Sequence, residues 1–222
     1  MIPLRDTQPS SSKPVVTITL IVVNILVFFY EVSLDPWHLN YFIARYGVVP
    51  DRFQYVDLFT SMFLHGGWMH LIGNMWFLWI FGDNVEDILG HVKYLAFYLI
   101  CGAAAAAIHV AVAPYSRVPT IGASGAIAGV MGAYMIKFPH SRILTLVPIV
   151  IFFTTFEIPA ILMLAYWFIL QIFSGFGSVG YSNVSRGGVA WFAHVGGFLA
   201  GILLVYLLGT RERFRNRRDF SW

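Results

Sequence analysis

Charge is scarce in this sequence. Asp, Glu, Lys and Arg together make up 11% of its 222 residues, against ~25% in an average globular domain. Cysteine is almost missing: Cys101 stands alone in an apolar run, so no disulfide can close within the chain and cysteine usage says nothing about compartment. Carboxylates are absent from the interiors of the long apolar runs, with Glu31 and Glu157 at their edges. That last absence excludes an aspartyl intramembrane protease, a zinc protease of the HExxH type and a proton-coupled transporter with an acidic relay, because each needs a carboxylate inside the membrane.

What the chain has instead is apolar bulk. Hydrophobic residues make up 58% and the mean hydropathy is +0.72. A soluble monomer of this length could not hide so much apolar surface. The composition therefore predicts an all-α, polytopic membrane protein rather than a disordered chain or an ordinary soluble enzyme.

Apolar segments near bilayer-spanning length fall at residues 15–30, 63–81, 92–113, 121–138, 158–173 and 189–208. A seventh stretch, 143–156, contains Pro148 and reads either as a short span or as an interfacial lead-in to the fifth. Lysine and arginine separate the two cases. Of the fourteen, six spans with both ends inside place ten inside and four outside. Seven spans place six inside and eight outside. Basic residues favour the cytoplasmic side, so six spans are expected.

Three regions follow: a polar cytoplasmic tail over residues 1–14, a six-span membrane domain over 15–209, and a basic cytoplasmic tail over 210–222. The first apolar run has no small-residue cleavage site after it and reads as a retained span. Arg211, Arg213, Arg215, Arg217 and Arg218 read as a flank beside anionic lipid rather than a nucleic-acid contact. A compact chain with no transit peptide implies a prokaryotic plasma membrane. Residues 33–62 carry Trp37, Tyr41, Phe42, Phe53 and Tyr55, which suit the membrane–water interface. The acidic turn at 82–91 offers Asp83 and Glu86 as a capping box for the third helix. Residues 174–188, rich in Gly and Ser, read as a flexible loop.

Polar residues inside spans carry the chemistry, because burying them in hydrocarbon is costly. They are Asn24, His70, Asn74, His109, Ser124, Gln171 and His194. With six spans, the second, fourth and sixth all run from outside to inside. At ~1.5 Å per residue, His70, Asn74, Ser124 and His194 then lie at similar depth in the outer part of the membrane. Gly125 and Gly129 make a small face on the fourth span, and His194, Gly197 and Gly201 share one face of the sixth. Close approach of those faces would bring the Ser124 hydroxyl to the His194 imidazole.

Such a pair is a nucleophile with its general base. No carboxylate is available to orient the histidine, so packing has to do so and the pair is a dyad. His70 and Asn74, one helical turn apart, and the Ser124 backbone N–H can donate to a developing oxyanion, each worth ~3 kcal/mol in the transition state. His65 reads as structural. His109, Asn24 and Gln171 read as helix–helix hydrogen-bonding groups without a chemical role, and the small run 103–107 as close helix packing.

These motifs resemble the rhomboid family of intramembrane serine proteases. The resemblance rests on Gly122-Ala-Ser124-Gly125, on Ala193-His194-x-x-Gly197-x-x-x-Gly201, on His65-x4-His70-x3-Asn74, and on the run from Phe81 to Asp87. It covers about residues 58–209. It implies six spans around a water-filled cavity, with Ser124 as nucleophile and His194 as base. His70, Asn74 and the Ser124 amide would form the oxyanion hole, with no metal or other cofactor. Implied substrates are single-span membrane proteins cut near small residues in helix-weak segments. The fifth span and the 174–188 loop would gate and cap the site. Two features depart from the pattern of many members: Val56-Asp57 stands in place of Trp-Arg in the first loop, and Ala128 in place of an aromatic that supports the histidine. The support for His194 must then come from elsewhere. A non-enzymatic escort of membrane proteins and a metal channel using His65, His70, His109 and His194 are the competing readings; the missing carboxylates weigh against the channel.

Overall fold

A helix facing lipid satisfies its backbone polar groups internally, and each of the six apolar segments carries a helix. The structure is a computed structural model that describes residues 2–149, 152–179 and 191–210. In chain order its elements begin with strand β1 (Ile2–Asp6) and helices α1 (Val15–Ser33), α2 (Pro36–Tyr46), α3 (Asp57–Thr60), α4 (Trp68–Leu89), α5 (His91–Val112) and α6 (Ser124–Lys137). Strands β2 (Arg142–Ile149) and β3 (Phe152–Pro159) and helices α7 (Ala160–Val179) and α8 (Trp191–Leu207) follow. Helices α1, α4, α5, α6, α7 and α8 fall on the six apolar segments. Among the described residues, α1 and α5, at 19 and 22 residues, are long and apolar enough to cross a membrane, and α8 is a shorter apolar helix.

Helix α1 turns polar residues inward and apolar ones outward. In α1 the buried face is Thr17, Leu20, Asn24, Phe28 and Glu31, whereas Val22, Leu26 and Phe29 are exposed. At the centre lies α6, buried without a break from Gly125 to Tyr134 and touching α4, α5, α7 and α8. Ala105 of α5 meets the open side of Gly125, and Cys101 that of Gly129. The small run in α5 thus permits the expected close packing.

Several expectations need correction. The fold is mostly helical but not all-α. β1, β2 and β3 form an antiparallel sheet in that order, with Asp6 opposite Ile143 and Leu146 opposite Thr155. The 143–156 stretch is therefore a hairpin, not a helix, and β3 runs straight into α7. A lipid-exposed open sheet edge does not occur within hydrocarbon. Residues 2–6 of the polar tail are a strand of the same sheet, tied down where the Trp76 indole N–H donates to the Pro3 carbonyl at 2.6 Å.

Next, α4 does not end at residue 82. It continues to Leu89, and Gly90 alone makes the turn into α5 with a φ of 75°, a conformation glycine takes without steric cost. The predicted capping box is absent. Glu86 instead caps α1, accepting from the Val16 and Thr17 amides at 2.8 Å each and from the Thr17 hydroxyl at 2.7 Å. Asp87 accepts from the Ser11 and Ser12 amides at 3.0 Å. Carboxylates do lie inside these helices, Glu31 in α1 and Asp83, Glu86 and Asp87 in α4, because both helices outrun the apolar segments. Finally, the loop expected over 174–188 starts as α7, which reaches Val179. Residues 180–190 and the arginine tail from 211 lie outside the described residues.

The sheet docks on the core through one acid. The Tyr134 hydroxyl on α6 donates to Asp6 of β1 at 2.5 Å. Burial pushes the Asp6 carboxyl up to about 7, against the pull of that hydrogen bond. A raised acid favours the protonated folded form, so its stability is fully present below the ordinary carboxylate range and is lost as pH rises through about 7. Thermal unfolding in detergent micelles is expected at higher temperature at pH 5.5 than at pH 8. Asp6→Asn should flatten that difference.

Candidate active site

The turn that begins α6 is held from three directions. Val48 and Thr120 exchange backbone hydrogen bonds at 3.0 and 2.8 Å. The Gly122 amide donates to the Ser61 carbonyl at 2.9 Å, and His109 pairs with the Thr120 hydroxyl at 2.8 Å. Gly122 has a φ of 122°, and a Cβ there would meet the His70 ring at 2.6 Å as well. Glycine is thus required twice over, and its bareness lets His70 and Asn74 of α4 press against the turn that carries Ser124. Ser124 is the first residue of α6, where a helix leaves its amides without helical acceptors.

Helix α8 runs parallel to α6 at backbone contact. A Cβ on Gly197 would lie 2.0 Å from the Gly125 carbonyl oxygen, and one on Gly201 would lie 2.0 Å from that of Gly129. One turn before Gly197 comes His194, and its Nε2 lies 2.7 Å from the Ser124 Oγ. The spacing of small residues thus brings together the two groups it was expected to bring together.

The imidazole is only 8% exposed and is held on its other side. Its Nδ1 lies 2.7 Å from Oε1 of Gln171 on α7, itself 6% exposed. Trp167 lies against the ring at 5.8 Å between centroids and Trp191 stands edge-on at 6.3 Å. Ala128, where an aromatic was missed, is fully buried; the two tryptophans and the glutamine surround the histidine instead.

His70 has a defined tautomer. The Gly66 amide donates to its Nδ1 at 3.3 Å, which leaves Nε2 carrying the proton and facing the Gly122 turn. The Asn74 Nδ2 is buried and has no acceptor among the described residues. Among the described residues, two side-chain donors therefore remain unspent beside Gly122, two residues before Ser124. His65 packs edge-on to His70 at 5.1 Å. Its backbone amide donates to Glu31 at 3.1 Å.

The remaining polar residues divide. Asn24 donates within its own helix, to the Leu20 carbonyl at 2.7 Å, and so does not serve as helix–helix glue through that group. His109 ties α5 to a loop rather than to a helix. Gln171 does bridge two helices, but its partner is His194. A lone polar residue in an apolar helix was the available signal; the partner, on another helix, was not legible.

Comparison with known proteins meets this geometry. Residues 52–211 match the rhomboid domain. The chain belongs to the rhomboid family. It is 31% identical to RHOMBOID-like protein 6, mitochondrial, of Arabidopsis thaliana over 74% of this chain and 48% of that protein. It is 27% identical to Rhomboid protein 1, mitochondrial, of Saccharomyces cerevisiae over 90% of this chain and 55% of that protein. Rhomboid protease GluP of Bacillus subtilis is 30% identical over 90% of this chain and 36% of its own length. This rhomboid chain spans about half the length of the first curated relatives it matches. The family makes it a membrane protein. Two of these relatives are named mitochondrial and one is bacterial.

Proposed function

We propose that this rhomboid chain is a serine endopeptidase that hydrolyses peptide bonds in or beside transmembrane segments. The observation that carries the reading is the 2.7 Å contact between Ser124 Oγ and His194 Nε2. Neutral imidazole takes the hydroxyl proton as Oγ attacks the scissile carbonyl carbon. The oxyanion that forms is met by the Ser124 amide, His70 Nε2–H and the Asn74 amide group. His194 then gives its proton to the departing amine as the C–N bond breaks. Water attacks the acyl-serine, with the same imidazole carrying its proton back to Oγ. No cofactor or metal has a part in this sequence.

The same reading places six helices across the bilayer, with both termini on the cytoplasmic side. The parallel course of α6 and α8, the hairpin in place of a seventh helix and the apolar outward faces support it. At 14 residues, or ~21 Å, α6 is too short to cross alone, so its Ser124 end would lie below the surface in a wet pocket. Transmembrane proteins are the expected substrates, with the bilayer as their common solvent.

The test is labelling with a fluorophosphonate, which reacts only with an activated serine. The purified chain is expected to label and Ser124→Ala to remain unlabelled with an unchanged unfolding temperature. A folded parent chain that takes no label overturns the proposal and leaves a non-catalytic binder of membrane segments.

A further inference from the structure

A dyad without a carboxylate leaves open what selects the tautomer of its base. Nε2 must be bare to accept the serine proton, so Nδ1 must hold the ring's one hydrogen. In a triad an acidic side chain enforces this. Here the group 2.7 Å from Nδ1 is the side-chain oxygen of Gln171, which can only accept. No carboxylate among the described residues contacts the ring. Ser124 faces it from α6, Gln171 and Trp167 from α7, and Trp191 from its own helix. The other titratable group bearing on it is His70 of α4.

We infer that Gln171 is the positioning residue of the base, a neutral third member that fixes the His194 tautomer and strengthens its hold when the ring becomes charged. This rests on the proposed serine mechanism. An N–H donated from imidazolium is a charge-assisted bond and stronger than one from the neutral ring, so the glutamine favours the state formed as Ser124 attacks. Both partners are buried, so the bond is not diluted by water. Gln171 also rides on α7 while His194 rides on α8. Phe168 stacked on Phe198 at 4.5 Å holds the two helices together beside this bond. The orientation of the base therefore exists only while α7 is docked.

The experiment measures the rate of fluorophosphonate labelling against pH for the parent chain, Gln171→Met and Gln171→Glu, with Ser124→Ala as the blank and unfolding temperature as the fold control. Methionine has nearly the same bulk but accepts no useful hydrogen bond. It is expected to lower the plateau rate about tenfold and to move the acid limb to lower pH, because imidazolium loses its acceptor. Glutamate remains an acceptor. It is expected to hold the plateau within about threefold and to move the acid limb to higher pH, because a negative charge favours the protonated ring that cannot act as base. If Gln171→Met does not fold, the direction of the Gln171→Glu limb decides. Rates that fall with unshifted limbs, or that do not change at all, reduce Gln171 to a packing residue and overturn the inference while labelling of the parent keeps the serine mechanism standing. A folded parent that does not label removes both.

Discussion

Replacing His194 with alanine is expected to slow cleavage of a transmembrane reporter by at least about 10⁴-fold, with the protein still folded. The magnitude follows from what is left behind. Without an imidazole the Ser124 proton has no acceptor, and a serine hydroxyl at neutral pH is a poor nucleophile. Removing either member of such a pair costs about as much as removing both, because neither works alone; in other serine proteases the loss approaches ~10⁶. Ser124→Ala, His194→Ala and the double variant should therefore share one residual rate. That residual reflects binding and the oxyanion donors, and His70→Ala on the His194→Ala background should lower it further. The measurement is single-turnover cleavage in liposomes. A double variant far slower than either single variant would mean that serine and histidine contribute independently, which a nucleophile and its base cannot do. His194→Gln keeps a polar group in the space but cannot shuttle a proton at neutral pH, and it should be as slow as His194→Ala.

Much of this site is legible in the sequence because it is built on helices whose period is fixed. Six apolar segments mark six helices, and three-and-four spacing puts His194, Gly197 and Gly201 on one face of α8. Ser124 and His194 meet because glycine recurs at the same interval on both helices, a signal carried entirely by local pattern. The sheet was hidden for the opposite reason. β2 and β3 together make an apolar run of about helical length, and their richness in Ile, Val, Thr and Phe was the strand signal it contained. Pairing of β1 with β2 links residues 2–6 to 143–146, a register that no local rule predicts. Charge misled at 82–91 for a related reason. Asp83, Glu86 and Asp87 look like the end of a helix, yet Glu86 and Asp87 are spent on amides about seventy residues earlier in the chain, and α4 passes through them. Gln171 combines both difficulties: its presence was visible, its partner was not.

The helix contact that unites the pair is also where the fold tolerates least. Gly201→Ala is expected to lower the unfolding temperature by several degrees and to cut the labelling rate of Ser124 by about 10²-fold. The new Cβ would lie 2.0 Å from the Gly129 carbonyl oxygen and 2.5 Å from its Cα, both backbone atoms of a buried helix. No rotamer change relieves that overlap, so α8 must move bodily away from α6. Overfilling a packed core costs ~1–3 kcal/mol, and a displacement of ~1 Å between reacting groups costs ~10² in rate. Gly197→Ala should behave alike, since its Cβ meets the Gly125 oxygen at the same 2.0 Å, one turn from His194. Gly73→Ala is the control. It sits exposed in α4 with nothing within 4 Å of the added carbon, and alanine is the better helix former by ~1 kcal/mol, so stability should hold or rise and labelling should not change. The comparison of stability with rate separates two causes. If Gly197→Ala lost stability but labelled at the parental rate, the α6–α8 contact would hold the bundle together without setting the distance between hydroxyl and imidazole. Loss of both in the glycine-contact variants, and of neither in Gly73→Ala, is the result expected when one interface does both jobs.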